Sequence, residues 1–190
     1  MRLLWNKEQE IDFFLKTFEV ATPEQLFYVS NDNKYYAYWP KGYKGRKETL
    51  QSRNAFIGSY SEKWCKELFQ EIADEVGGYA VQGVTCSEIE LSKKSSAELA
   101  ICKTSSINQI PENILLIIEV KISIDWNWEY MNGELICLGD YMTHQGNLGL
   151  LRSDTMLKAV GKSLNVKVSN YKAAKIPMIV IGNTPITNSY

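Results

Sequence analysis

The segment from Ile114 to Ile124, with the sequence ILLIIEVKISI, constrains the fold more than any other part of the chain. It is rich in β-branched and aliphatic residues, which favour a β-strand that is covered on both faces. Side chains alternate between the faces of a strand, so Glu119 and Lys121 are predicted to point to the same side. A carboxylate and an ammonium in such an apolar run cost free energy unless they are paired, bound to a metal or open to a cleft.

The remaining periodicity predicts an α/β fold with a mixed central β-sheet flanked by helices. Apolar positions at helical spacing predict helices over residues 8–19, from Ser59 to the glycine pair 77–78, and from Ser153 onward. In the last of these helices, four residues are expected to face inward: Met156, Leu157, Val160 and Leu164. Strands are predicted at residues 79–85, 97–102, 114–124 and 178–181, and Asn132-Gly133 is typical of a hairpin turn.

The length of 190 residues suits a single domain with a substantial core, and no linker or repeat divides it. We expect an N-terminal helix and a basic loop in residues 1–54 and the core in residues 55–182. No apolar run is long enough to span a bilayer and no secretory signal is visible, so we expect a cytoplasmic protein without membrane contact. The four cysteines contain no CxxC pair, which favours reduced thiols over zinc or disulfides.

The net charge of −1 gives no overall signal for nucleic acid, but the distribution of the basic residues is uneven. Residues 34–53 and residues 152–175 each contain six basic side chains and one acidic side chain, a net charge of 6 − 1 = +5. Two basic segments around an acidic centre suit a phosphate-binding cleft with carboxylates at its floor. An ordinary lysine-rich surface is the alternative interpretation.

Glu98 lies near the start of the preceding predicted strand and can supply a second carboxylate beside Glu119. Mg²⁺ prefers oxygen ligands and takes one or two carboxylates from a protein. Such a metal can activate water for displacement at a phosphoryl group, with Lys121 positioning the water or stabilising negative charge. A surface ion pair between Glu119 and Lys121, and a surface position for Glu98, are the alternatives. Glu88 and Glu90 compete with Glu98 for the same role.

An acidic residue followed on a later strand by (D/E)xK resembles the pattern of the PD-(D/E)xK nucleases, best known as type II restriction endonucleases. Glu98 matches the first acid, Glu119 the second acid and Lys121 the lysine; the family has Pro-Asp where this chain has Ala97-Glu98. The resemblance implies a restriction-endonuclease-like core with Mg²⁺ bound by Glu98, Glu119 and Val120, the last of which can offer only its backbone carbonyl.

The same family often has a glutamate on the preceding helix that helps to organise the metal, and Glu62 matches it in order. The alternative is that Glu62 forms a capping box with Ser59 at the start of that helix. His144, the single histidine, is interpreted as a surface residue in a loop, with a general base as the less favoured alternative.

The resemblance implies a Mg²⁺-dependent DNA endonuclease that cuts a short palindromic site in double-stranded DNA as a homodimer. A repair nuclease or junction resolvase of the same fold, or a non-catalytic nucleic-acid-binding protein on this scaffold, are the alternatives. The expected DNA contacts are Lys41, Lys44, Arg46, Lys47, Trp126, Asn127, Arg152, Lys158 and Lys162. Packing within the hairpin is the alternative for Trp126 and Asn127, and a solvated row is the alternative for Lys158 and Lys162.

Overall fold

The computed structural model of the chain describes residues 5–45 and 50–186. Its helices are α1 (Lys7–Thr17), α2 (Pro23–Leu26), α3 (Gln51–Glu75), α4 (Ser153–Ser169) and α5 (Tyr171–Ala174). Its strands are β1 (Tyr28–Val29), β2 (Tyr35–Tyr36), β3 (Tyr79–Val84), β4 (Ala97–Cys102), β5 (Ile114–Lys121), β6 (Asn127–Met131), β7 (Glu134–Gly139) and β8 (Met178–Gly182). None of the helices in this part of the chain is long and apolar enough to cross a membrane.

Four strands form the first sheet, a mixed sheet in the order β3-β4-β5-β8. Strand β4 is antiparallel to both of its neighbours, β3 and β5, whereas β8 lies parallel to β5. Helix α3 covers one face, where Phe69 shares a buried cluster with Leu99 and Ile118. Helix α4 covers the other face, where Val166 shares a second cluster with Ile117. The predicted mixed α/β fold is confirmed, and β5 is covered on both faces.

The prediction of one sheet is wrong, because β1, β2, β6 and β7 form a second, antiparallel sheet. Strand β6 pairs with the aromatic strand β2, and β7 pairs with β6, so this hairpin does not extend the first sheet. The predicted hairpin turn is confirmed, since Asn132 and Gly133 join β6 to β7 with φ angles of 53° and 87°. Both residues of a type I′ turn need positive φ, which Asn and Gly tolerate best.

Glu10 connects α1 to the segment in which the chain passes from the first sheet to the second. Its carboxylate is fully buried and accepts hydrogen bonds from the backbone N–H groups of Asp125 (2.5 Å) and Trp126 (3.3 Å). The indole N–H groups of Trp5 (3.1 Å) and Trp128 (2.8 Å) donate to the same carboxylate. These bonds fix the residues that directly follow β5.

Helix α3 begins at Gln51, well before Ser59, so the predicted capping box of Ser59 and Glu62 is wrong. Every fourth residue of the helix is buried from Arg53 to Ala73, which means that its buried stripe starts before Ser59. At the start of the stripe the Arg53 guanidinium donates to the backbone carbonyl oxygens of Leu26 (3.2 Å) and Ala37, and such tertiary contacts extend the helix beyond the local capping signal.

Helix α4 begins at Ser153 as predicted, but the predicted direction of its apolar side is wrong. Met156 is partly buried, and the other three residues are exposed by more than half: Leu157 (69%), Val160 (52%) and Leu164 (59%). The side that faces the first sheet instead contains Ala159, Lys162 and Val166, which are spaced at three and four residues. A lysine is therefore turned toward the sheet, and α4 presents an apolar stripe to solvent.

Candidate functional site

The register between β4 and β5 brings the two predicted carboxylates together. Leu99 pairs with Ile118 in this antiparallel register, so the preceding residue Glu98 lies opposite Glu119. Residues that are directly opposite on antiparallel strands project to the same face of a sheet. The two side chains therefore meet on the face of the first sheet that α4 covers.

Lys121 joins the three groups that the sequence predicts as metal ligands. Its Nζ donates to Glu98 Oε1 and to Glu119 Oε1, both at 2.8 Å, and to the Val120 carbonyl oxygen at 3.2 Å. Three oxygen atoms thus converge on one cation. The ammonium group occupies the position that a metal bound by the same three oxygens would take.

The second oxygen of each carboxylate is held by a separate donor. Glu98 Oε2 accepts a hydrogen bond from the Val120 N–H at 2.6 Å. Glu119 Oε2 accepts one from Lys162 Nζ at 2.7 Å. The sequence predicts that Lys162 is a phosphate contact or part of a solvated row, whereas the structure makes it a fourth charged member of this site. We call these four residues the Glu–Lys cluster: Glu98, Glu119, Lys121 and Lys162.

Burial and pairing shift the pKa values within the Glu–Lys cluster in different directions. Burial raises the pKa of Glu98, and the hydrogen bond from Lys121 only partly opposes this. Burial acts in the same direction on Glu119, but the hydrogen bonds from Lys121 and Lys162 outweigh it and lower its pKa. Burial disfavours the charged form of Lys121, but hydrogen bonds to Glu119 and Glu98 outweigh it and raise its pKa. Glu119 is therefore the carboxylate that stays ionised most firmly.

Glu62, on α3, forms its hydrogen bond with a residue outside the Glu–Lys cluster. Its carboxylate accepts a hydrogen bond from Gln82 Nε2 at 2.8 Å. Gln82 is on β3 and pairs with Leu99, the residue after Glu98. Glu62 is thus connected to the strand next to the site, and its role in organising a metal stays a prediction.

The described residues contain no group of three or more His, Cys, Asp or Glu side chains that can hold a metal ion. The candidate ligand set instead combines two carboxylates with one backbone carbonyl, which is compatible with Mg²⁺ because this ion keeps several waters. Of the competing acids, Glu88 forms an ion pair with Lys172 at 3.1 Å. The four cysteines are free thiols, as their spacing predicts.

Four of the predicted DNA contacts are exposed basic residues: Lys41, Lys44, Arg152 and Lys158. The Arg152 guanidinium pairs with Asp154 at 2.7 and 2.9 Å, while the Lys158 side chain is 80% exposed. Arg46 and Lys47 lie outside the described residues. Lys41 and Lys44 lie in the loop after β2, within the first basic segment of the sequence. Arg152 directly precedes α4 and Lys158 lies in it, within the second basic segment.

The structure places two predicted DNA contacts and the single histidine inside the protein. Asn127 is 1% exposed, and its side-chain oxygen accepts the backbone N–H of Tyr38 at 3.0 Å. Trp126 is partly buried against the core, as packing within the hairpin predicts. Asn127 therefore has no exposed side chain with which to make the DNA contact that the sequence predicts. The surface position expected for His144 is wrong, since it is 3% exposed, stacks on Tyr38 and has its pKa lowered by burial.

Comparisons with known proteins match the chain to no family model, no curated protein and no solved structure. The chemistry proposed for the site therefore depends on its own atoms. Three oxygen atoms contact the same cation, and a separate donor holds the second oxygen of each carboxylate. All four charged side chains are at least partly buried.

Proposed function

We propose that this protein is a Mg²⁺-dependent DNA endonuclease of the type II restriction kind, acting in the cytoplasm on a short palindromic site. The observation that carries the proposal is the convergence of Glu98 Oε1, Glu119 Oε1 and the Val120 carbonyl on one cation position. All three are hard oxygen ligands of the type that Mg²⁺ prefers. The arrangement on two adjacent strands also supports a restriction-endonuclease-like core.

Each residue of the site has a distinct task in the proposed hydrolysis. Glu98, Glu119 and Val120 would hold Mg²⁺, which lowers the pKa of water and polarises a phosphoryl oxygen when it is bound. The Val120 N–H and Lys162 each fix one carboxylate oxygen, and the other oxygen, which Lys121 binds in this structure, is the one that would form the ligand bond. The Lys121 ammonium, which contacts the same three oxygens, would give up this position to the metal, and from beside it the ammonium can orient the attacking water or stabilise charge that develops on the phosphate.

Double-stranded DNA is the substrate that the exposed charges support. Lys41 and Lys44 lie in one basic segment, and Arg152 and Lys158 lie in the other. Cations of this kind bind phosphate groups without reading sequence, and their contribution falls as salt concentration rises. Lys162 of the second segment contacts Glu119, so a DNA duplex bound along this segment would bring a phosphodiester bond near the Glu–Lys cluster.

A homodimer is supported by the exposed apolar stripe of α4. Leu157, Val160, Leu164 and Val168 are all exposed by more than half of their surface, and a contiguous exposed apolar patch often marks a contact with another protein. A stable interface needs about 800 Å² from each partner. Helix α4 has 17 residues and is therefore about 25 Å long, so neighbouring elements must add to the contact. Two copies related by a twofold axis would each cut one strand.

A non-catalytic nucleic-acid-binding protein is the second candidate, and one observation favours it. Lys121 already pairs with both carboxylates and Lys162 pairs with Glu119, so the Glu–Lys cluster is electrically balanced without a metal. A protein that has lost its metal would retain this pairing and the basic surface. A repair nuclease or a junction resolvase would use the same site on different DNA.

The deciding experiment is digestion of phage DNA by the purified protein with and without Mg²⁺. We expect discrete fragments with Mg²⁺, and their loss in Glu119→Ala and Lys121→Ala. Glu75→Ala and Lys66→Ala, both at exposed positions of α3, are the matched controls and should cut normally. General degradation would indicate a repair nuclease, and cutting only of branched DNA would indicate a resolvase. Cleavage that persists in Glu119→Ala, or absence of metal-dependent cleavage by the folded protein, would contradict the proposal.

A further inference from the structure

Lys162 differs from the other members of the Glu–Lys cluster because it comes from α4 rather than from a strand. Its Nζ lies 2.7 Å from Glu119 Oε2, and its side chain is 20% exposed. The other oxygen of Glu119 is bound by Lys121, so one carboxylate that is 6% exposed serves two ammonium groups. A phosphate contact alone would not require this inward position.

The formal charges of the Glu–Lys cluster cancel, since two carboxylates face two ammonium groups. Buried charges are tolerated when they are compensated in this way. A divalent cation at the shared oxygen position raises the net charge of the cluster to +2. The cluster is partly buried, so dissolved salt screens this charge only weakly. A phosphodiester group and a hydroxide nucleophile each contribute −1, and together they restore neutrality.

We propose that Lys162 is a charge-balancing residue that makes metal binding depend on bound DNA. This inference rests on the proposed function, because it takes Glu119 as a metal ligand. Without DNA, the positive charge of Lys162 on Glu119 Oε2 repels a metal at Glu119 Oε1 and weakens metal binding. With a phosphodiester in the site, its charge is matched and the metal binds more tightly. Thermodynamic linkage requires the metal to strengthen DNA binding by the same factor.

The test is calorimetric titration of Ca²⁺, an oxygen-binding divalent cation, into the protein with and without a short DNA duplex. Lys162→Met removes the charge and retains much of the side-chain volume, whereas Lys162→Arg retains the charge. Lys66→Met, on the exposed side of α3, controls for an equal loss of charge elsewhere. Glu119→Gln reports whether Ca²⁺ binds at this site at all, and circular dichroism establishes that each variant is folded.

We expect Lys162→Met to bind Ca²⁺ about tenfold more tightly than the wild type without DNA, a factor within the usual range of coupling between sites. DNA should tighten Ca²⁺ binding by about tenfold in the wild type and in Lys162→Arg, and by clearly less in Lys162→Met. A merely structural role for Lys162 predicts the opposite sign, because damage to the site weakens metal binding.

Two failures are distinguishable in the same titration. Unchanged or weaker Ca²⁺ binding by Lys162→Met, together with lost binding by Glu119→Gln, would overturn the role of Lys162 and leave the metal site standing. Ca²⁺ binding that is unchanged in Glu119→Gln would show that the metal does not bind there. That result would contradict the proposed function itself.

Discussion

The buried carboxyl group of Glu10 predicts that the stability of this protein depends on pH. Four N–H groups donate to it, from the backbone of Asp125 and Trp126 and from the indoles of Trp5 and Trp128. These donors favour the ionised form, but burial is the larger effect and raises the pKa of Glu10 from 4.5 to about 7. The informative change is Glu10→Gln, which cannot ionise.

The sign and size of the effect follow from linkage between protonation and folding. A carboxyl group whose pKa is higher in the folded state stabilises the fold in its protonated form. Its contribution to the free energy of unfolding is therefore complete below pH 4.5 and is lost as the pH rises to about 7. One pKa unit corresponds to about 1.4 kcal/mol, so a shift from 4.5 to about 7 amounts to about 3 kcal/mol.

Urea unfolding of the wild type and of Glu10→Gln at pH values from about 4 to about 8 measures this contribution. We expect the stability difference between them to change by about 3 kcal/mol across this range, in the direction that disfavours the wild type at high pH. Glu8→Gln, at an exposed position of α1, controls for the loss of a charge. A difference that stays constant with pH would refute the reasoning. It would mean that the four N–H donors keep Glu10 ionised in the fold throughout.

Three further changes test the packing, the Glu–Lys cluster and the proposed dimer. Lys121→Met leaves two partly buried carboxylates without their shared cation and should cost about 3 kcal/mol in urea unfolding; a cost near that of Lys66→Met would contradict the pairing. Phe14→Ala removes a fully buried ring that stacks on Phe27 and should cost about 3–5 kcal/mol by the same assay. Leu164→Asp should yield monomers in sedimentation velocity without a change in circular dichroism, and an unchanged dimer would show that this face of α4 is not the dimer interface.

The strands of the site could be predicted because their signals are local. The run from Ile114 to Lys121 has the composition of a strand, and alternation alone places Glu119 and Lys121 on one face. The turn at Asn132-Gly133 was equally predictable, because few residues adopt positive φ at two successive positions. Such features depend on the residue type and its immediate neighbours.

The features that could not be predicted depend on which surface each element meets. The apolar residues of α4 give no sign that Leu157 and Leu164 face solvent, because that follows from where the helix docks on the sheet. The inward position of Lys162 has the same origin, although its spacing from Ala159 and Val166 is the one signal that the sequence contains. The second sheet was missed because its pairing of β2 with β6 joins segments far apart in the chain.

The place where β4 begins, opposite the end of β5, gives the site its geometry. Backbone pairing between these strands extends to Leu99 and Ile118, and beyond it the Val120 N–H is bound by the Glu98 carboxylate. Glu98 thus satisfies a backbone donor that the ladder leaves free while its other oxygen points to Lys121. Because alternation has period two, a slip of one residue in β5 would turn Glu119 toward α3 and dismantle the cation position. The register that buries the core therefore also assembles the site.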